Sequence, residues 1–542
     1  MRYVSGIRRA AVMLMFLLSA CGGGSDSGSA AVSITSVSTH ALNFSAASPD
    51  DVTPAAQTFT ATVSSGTVFF AVIPNGSAIA NASFTLSGTT ATVTVFPAAP
   101  SALGAGTFTG TLTVSGQSCA DAKCTSLISG ERQDVNVTVQ IPPTVRFVAP
   151  YVGQTNTPGT ALIRGQGFQA FAVAGVTFGV TAASAFSVLS DTEIQASYPA
   201  LAAGSYAVQV QASASPAAIL SSAALVVVDP VSYAAGTLSY PTAAPQIKRL
   251  AYDSERQALW VAVDSAGGEV LRYAYAGGTW GTPLTAPVAS LVDIALSTNG
   301  TQLLALSQTD MTVIDPASLA AGGVIAGPSL VAGTFLKNLT VTNTDTAIVT
   351  TGFSGSTASL LYLYGIRSTA FTQPATAISL DNATPGGSAD GSLVAIAQGD
   401  PSLTTAPSTY QYLSATNAFS ATVAINQNSI APALDRNAIR IVLNGIDVYD
   451  ASYTLLGTLP STTLAVVVKP DATRAYTFDS AAAAVLSFDL TTTASGAALP
   501  QVGGATALPG DPGSGVQMAI SPDGGTLFLA GANQIVVQPA PP

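Results

Sequence analysis

The sequence predicts an all-β chain in which two β-sandwiches precede a seven-bladed β-propeller. Three observations lead there. Apolar residues alternate with Thr and Ser along much of the chain, as in Thr107-Phe108-Thr109-Gly110-Thr111-Leu112-Thr113-Val114; period two is the spacing of half-buried strands. A Pro142-Pro143 break, which cannot donate to a sheet ladder, divides the stretch before residue 231 into two pieces of sandwich length. Beyond residue 231 a strand–turn–strand unit recurs about every 45 residues, the period of propeller blades.

Composition narrows the chemistry. Of 542 residues only 8% are charged, with 17 Lys plus Arg, 28 Asp plus Glu, one histidine (His40) and a net charge of −11. An ordinary soluble domain carries roughly 25% charged residues. A pI near 4.4 supplies no basic footprint for nucleic acid. A single histidine excludes His-rich zinc sites and leaves any serine nucleophile without a partner, because His40 belongs to the first sandwich. No calcium-loop spacing and no nucleotide, flavin or haem motif occurs, so no metal, cofactor or catalytic residue is expected.

Residues 1–20 read as an export signal. The mean hydropathy of +0.45 raises the question of membrane spans, yet the one concentrated apolar run is Ala10 to Ala20. Eleven residues are too few to span a bilayer, which takes about 20. Arg2, Arg8 and Arg9 precede the run and small residues close it, the layout of a secretory signal. Leu18-Ser19-Ala20-Cys21 resembles the lipobox of bacterial lipoproteins. That resemblance implies cleavage before Cys21, diacylglycerol on its thiol and an acylated new N-terminus. Three acyl chains anchor stably, since each buried CH₂ contributes ~0.8 kcal/mol. Cleavage removes three arginines and takes the net charge from −11 to −14. Gly22 follows the cysteine where Asp retains such lipoproteins at the inner membrane, so the resemblance implies the outer membrane of a bacterial cell envelope.

Residues 21–31 comprise the cysteine and a Gly/Ser tether, Gly22 to Ala30. The first sandwich follows at 32–141, and resembles the immunoglobulin-like and BACON-like modules of bacterial surface lipoproteins. Cys119 and Cys124 sit five residues apart within it. In an oxidising compartment this pair predicts a disulfide, contributing about 2 kcal/mol by chain entropy. Neither a metal site nor a redox motif fits, because no further ligand lies nearby and the spacing is not C-x-x-C.

Residues 142–230 form the second sandwich. Pro150, Gly153, Ala161-Leu162-Ile163-Arg164-Gly165-Gln166-Gly167-Phe168, Val176-Thr177-Phe178-Gly179, Asp191-Thr192-Glu193-Ile194 and Ala203-Gly204-Ser205-Tyr206-Ala207-Val208-Gln209-Val210 resemble the IPT/TIG immunoglobulin-like domain. Gly165 and Gly167 do not form a phosphate cradle, because no helix pattern follows them. Glycines at a strand turn before a buried Phe168 explain them. The whole chain is thus expected to hold two immunoglobulin-like β-sandwiches followed by the seven-bladed propeller.

Residues 231–542 carry the repeat. Turn residues anchor it at 255, 299, 345, 390, 437, 471 and 523, with intervals of 44, 46, 45, 47, 34 and 52. Seven anchors predict seven blades. Too few residues follow the last anchor for four strands, whereas Ser232 to Tyr240 lies spare before the first. That N-terminal strand is expected to complete the seventh blade and close the ring, leaving no open edge. The Ser521-Pro522-Asp523-Gly524 turn resembles those of YVTN-like and TolB-like propellers.

Aligning the repeats places Arg249, Asp293, Asn338 and Gln517 just before the first apolar residue of the innermost strands of blades one, two, three and seven, with Ala431 and Ala465 in blades five and six. These polar side chains are expected at one mouth of the central channel, as a ligand pocket with Lys248 and Lys337 alongside, or else as a hydrated lining that satisfies itself. Trp260 alternates into the core and Trp280, after Gly277-Gly278-Thr279, is expected in an exposed turn. The expected function is a lipid-anchored, non-enzymatic binding module for a protein or glycan ligand. The alternatives are a propeller-borne hydrolase or lyase acting on polysaccharide, and a structural outer-membrane assembly factor.

Overall fold

A computed structural model describes residues 34–542 apart from 50, 65–68, 120–126, 213–217, 222, 354–359, 375–377, 379, 381, 399–407, 425–429, 461–464 and 493–495. Cys21 with its leader and tether, and Cys124 of the expected disulfide, lie outside the described residues. Cys119 ends the strand Gly106–Cys119.

The first sandwich is built from two four-stranded sheets. One runs Ile34–Val37, Gln57–Val63, Thr90–Pro97, Ile79–Ser87; the other runs Ala41–Ser45, Leu127–Ile141, Gly106–Cys119, Phe69–Gly76. Their alternating inward residues (Phe59, Val93, Val95, Leu112, Val114, Val137 and Val139 among them) form a core of their own.

In the second sandwich Thr144–Ala149, Gly159–Gln166, Glu193–Tyr198 and Ala185–Ser190 make one layer. Val152–Gln154, Ala224–Val228, Gly204–Ala212 and Val173–Phe178 make the other, and Ala218–Ser221 links the two. Phe168 is fully buried in its core. A Cβ on Gly165 would lie 2.4 Å from the Phe168 ring and 2.0 Å from the Thr144 carbonyl oxygen, so glycine there serves close packing.

Seven further sheets follow in chain order. Their first strands are Ile247–Asp253, Leu291–Leu296, Thr334–Val341, Thr384–Gly387, Ala433–Leu434, Val466–Val468 and Gln517–Ile520. Each sheet is an antiparallel meander of four strands, and the first gains a fifth through Thr279–Trp280. The first strand of every sheet contacts that of the next, and the seventh returns to contact the first. Second strands such as Ala258–Val263, Leu303–Ser307 and Leu393–Ala397 are buried at every position. That burial explains their near-continuous apolar sequences: a neighbouring sheet covers each face.

The seventh sheet draws its fourth strand from the other end of this region. Gly236–Leu238 pairs antiparallel with Ile535–Pro539, Thr237 standing opposite Val536. Tyr233, 3% exposed, fixes that crossing. Its ring stacks on Trp280 at 5.0 Å and meets Tyr275 and Phe528 edge-on, while its hydroxyl reaches the Tyr252 hydroxyl at 2.7 Å. Trp280 is therefore half-buried in an aromatic cluster and not an exposed turn residue, because the returning segment covers it. Trp260 is fully buried, with the Arg272 guanidinium 5.8 Å above its ring.

Candidate functional site

The repeat alignment brings three of its polar residues into one cluster. Arg249 donates to Asp293 through Nε at 2.7 Å and Nη2 at 2.8 Å, a bidentate pair. Asp293 also accepts the backbone N–H groups of Ile294 and Leu339 at 2.8 Å each and Asn338 Nδ2 at 3.3 Å. The residue is fully buried. Burial opposes the charge on Arg249, and the Asp293 carboxylate more than restores it. With five donors on two oxygens, this carboxylate is a staple across sheets one, two and three.

The remaining residues stand apart from that cluster. Gln517 opens the seventh sheet's first strand and makes no hydrogen bond to the pair. Lys248 points its ammonium at Gln246 Oε1 (3.2 Å) and Asp264 (3.5 Å), and Lys337 donates to the Asn382 carbonyl. Both lysines occupy positions where the strand register slips. A bulge swings the side chain away from its neighbours' direction, so neither lysine lies beside the Arg249–Asp293 pair. Sheet four supplies the equivalent position with Thr384, also buried; its short first strand hid it from the alignment.

The turns at the opposite ends of these first strands build a second feature. Six of the seven begin with a buried residue, Asp253, Ser297, Thr342, Ser388, Asp435 and Ser521; sheet six has the half-exposed Lys469 there. Ser297, Ser388 and Ser521 each accept a backbone N–H five residues on, at 3.0, 3.1 and 2.9 Å, and donate to the Asn or Asp two residues on. This local bonding is why Ser-x-Asp/Asn-Gly recurs in the sequence. The turns are also stitched to one another. Thr298 Oγ1 donates to Thr342 O (2.7 Å), Asn343 N to Gly391 O (2.9 Å), Asp390 N to Arg436 O (2.9 Å) and Arg436 Nη2 to Pro522 O (2.7 Å).

The second sandwich docks on this circle of turns. Tyr151 packs against Gly300 so closely that a Cβ there would lie 2.2 Å from its ring, and its hydroxyl interacts with Arg256. Burial pushes the Tyr151 phenol well above the usual range, and the Asp253 carboxylate adds to the shift. Arg164, paired with Glu193 on its own sandwich, donates through Nη2 to Asn343 Oδ1 at 3.1 Å. Between sandwich and turns lies a cavity of about 890 Å³ to which all seven sheets contribute lining residues. Tyr151, Tyr198, Asn343, Asp390, Arg436 and Asp523 are among them. This chamber was not foreseen, because one wall is the second sandwich and the other the circle of turns, and no motif in either reveals that they dock.

Residues 143–226 match the IPT/TIG domain family. No curated protein matches the chain. Among solved structures it is similar to Kuenenia stuttgartiensis hydrazine synthase, at 11% identity and a TM-score of 0.43, over 56% of this chain and 97% of that one.

Proposed function

We propose that the protein is a lipid-anchored binding module of the bacterial cell envelope, in which the seven sheets are the blades of a β-propeller and the second sandwich covers one mouth. The observation that carries the binding reading is the chamber. At about 890 Å³ it falls within the ~300–1,000 Å³ of small-ligand sites, and it lies at a domain interface where such sites concentrate.

The carboxylates near it favour binding over acid–base work. Asp253 is 1% exposed and held by Arg256 and Trp260, and Asp390 and Asp523 each commit an oxygen to their own turns. Asp293, the carboxylate among the polar residues expected at the channel mouth, is saturated with donors. The lipid anchor rests on the Leu18-Ser19-Ala20-Cys21 box.

Two experiments test the reading. Wild-type protein expressed in a Gram-negative host should take up an alkyne-palmitate label that Cys21→Ser abolishes; labelling that persists in the variant overturns the anchor. On peptide and glycan arrays the protein should retain ligands without consuming them. Release of reducing ends from a polysaccharide panel overturns the non-enzymatic reading.

A further inference from the structure

We propose that the chamber between the second sandwich and the seven turns binds a short zwitterionic peptide. This rests on the binding-module reading and adds to it a site and a ligand class.

The charges lining the chamber are unpaired in a complementary way. Arg436, on the turn of sheet five, bonds to the turns that carry Asp390 and Asp523: its carbonyl accepts Asp390 N, and its Nη2 donates to Pro522 O. Yet among the described residues no carboxylate lies within 4.0 Å of its guanidinium, and no cation lies within that distance of Asp390 or Asp523. All the hydrogen bonds to these two aspartates go to Oδ1, from Ser388 and Ser392 in one case and from Ser521 and Gly525 in the other. Both Oδ2 atoms keep their accepting capacity. A guanidinium with no carboxylate partner, together with two carboxylates that each keep one oxygen for a further donor, suits a molecule with a carboxylate at one end and an ammonium at the other.

A second, independent observation points the same way. Asn343 lines the chamber and is 1% exposed. Its Oδ1 is taken by Arg164, and among the described residues its buried Nδ2 has no acceptor. A buried amide donor left unmet is unfavourable, and a ligand backbone carbonyl supplies what it lacks. The Tyr151, Tyr198 and Tyr252 side chains among the lining offer apolar surface to short side chains. A neutral sugar satisfies the amide but leaves the three charges unanswered. A polyamine answers the carboxylates but neither Arg436 nor Asn343.

The test uses the full chain in detergent and calorimetry with trialanine, its N-acetyl derivative and its C-terminal amide. Trialanine should bind, and blocking either end should weaken it about tenfold, the loss of one charge-assisted contact. Arg436→Gln should lower the affinity for trialanine to that for the amide while leaving amide binding unchanged, and Arg436→Lys should restore part of the difference. Asp390→Asn with Asp523→Asn should erase the preference for a free amine without changing binding of the N-acetyl peptide. Equal affinity for all three peptides overturns the proposal. So does a variant that weakens every peptide alike, since a merely structural role predicts that pattern. If no peptide binds while array ligands are still retained, the site assignment fails and the binding-module reading stands. If array retention is absent too and reducing ends are released, the reading itself fails.

Discussion

Asp293 receives five donors in a fully buried position, so its contribution is to stability and is readable in unfolding. Asp293→Ala leaves the Arg249 guanidinium and two backbone N–H groups without their acceptor. Removing one partner of such a pair costs about 3–5 kcal/mol, and urea denaturation should show a loss of that size. Arg249→Ala leaves the carboxylate three donors and should cost less, and the double variant should cost less than the two added together. Asp435 behaves in the opposite sense. Burial raises its carboxyl above the ordinary value, against the Arg440 and Asn437 N–H groups that favour the anion. A folded-state value above the unfolded one means the folded chain holds the proton longer. The associated stability is therefore greatest at low pH and is lost as pH rises through the interval between the two values. Ser297, Ser388 and Ser521 hold the same turn position in three other sheets. Asp435→Ser should therefore keep the turn, remove that pH slope and raise stability at pH 7, as unfolding curves at pH 4 and pH 7 will reveal.

At the scale of the element, the seventh sheet depends on a strand borrowed from the start of the region, and Tyr233 holds that strand's approach. Its side chain is 3% exposed and contacts Trp280, Tyr275, Tyr252 and Phe528. Tyr233→Ala empties the middle of this cluster. Comparable aromatic truncations cost ~3–5 kcal/mol, and Trp280, partly uncovered, should report the change as a red-shifted emission before global unfolding. An unshifted spectrum with unchanged stability would show that the closure needs no aromatic clamp. This borrowing was legible in the sequence, since too few residues follow Gly524 to make four strands while Ser232 to Tyr240 lay unassigned. The turns were legible for a local reason: Ser521 bonds to residues two and five positions on, and such bonding leaves a repeating signature. The fate of Trp280 was not legible. Its partners Tyr233 and Phe528 lie far off in the chain, and period two within its own strand says nothing of them. For the same reason the alignment found Arg249, Asp293 and Asn338 together but could not reveal that backbone N–H groups had already filled the carboxylate.

For the whole molecule, the question is whether the second sandwich and the seven sheets unfold together. Their contact includes Tyr151 against Gly300 and Arg164 on Asn343, and the chamber exists only while that contact holds. Gly300→Ala tests it with a control built into the repeat. Gly300 has φ +67°, a conformation that costs a non-glycine residue about 1 kcal/mol. Ala438 and Ala472 already occupy the matching turn position in sheets five and six at φ 54° and 62°, so the turn accepts alanine. Gly524 offers the same turn in sheet seven, where an added Cβ meets only Lys469 and Pro470. Gly524→Ala should therefore cost the backbone term and a small displacement of the Lys469 side chain, 2.9 Å from the new methyl. At Gly300 the new methyl meets the Tyr151 ring at 2.2 Å, and that ring, pinned between two domains, has no flexible end to yield. Gly300→Ala should lose distinctly more and split a single thermal transition into two as the sandwich separates. Adding Tyr151→Ala should remove the clash, so the double variant should lie closer to Tyr151→Ala alone than additivity allows. If Gly300→Ala and Gly524→Ala prove equal, the sandwich is not seated on the turns in solution, and the chamber has no roof.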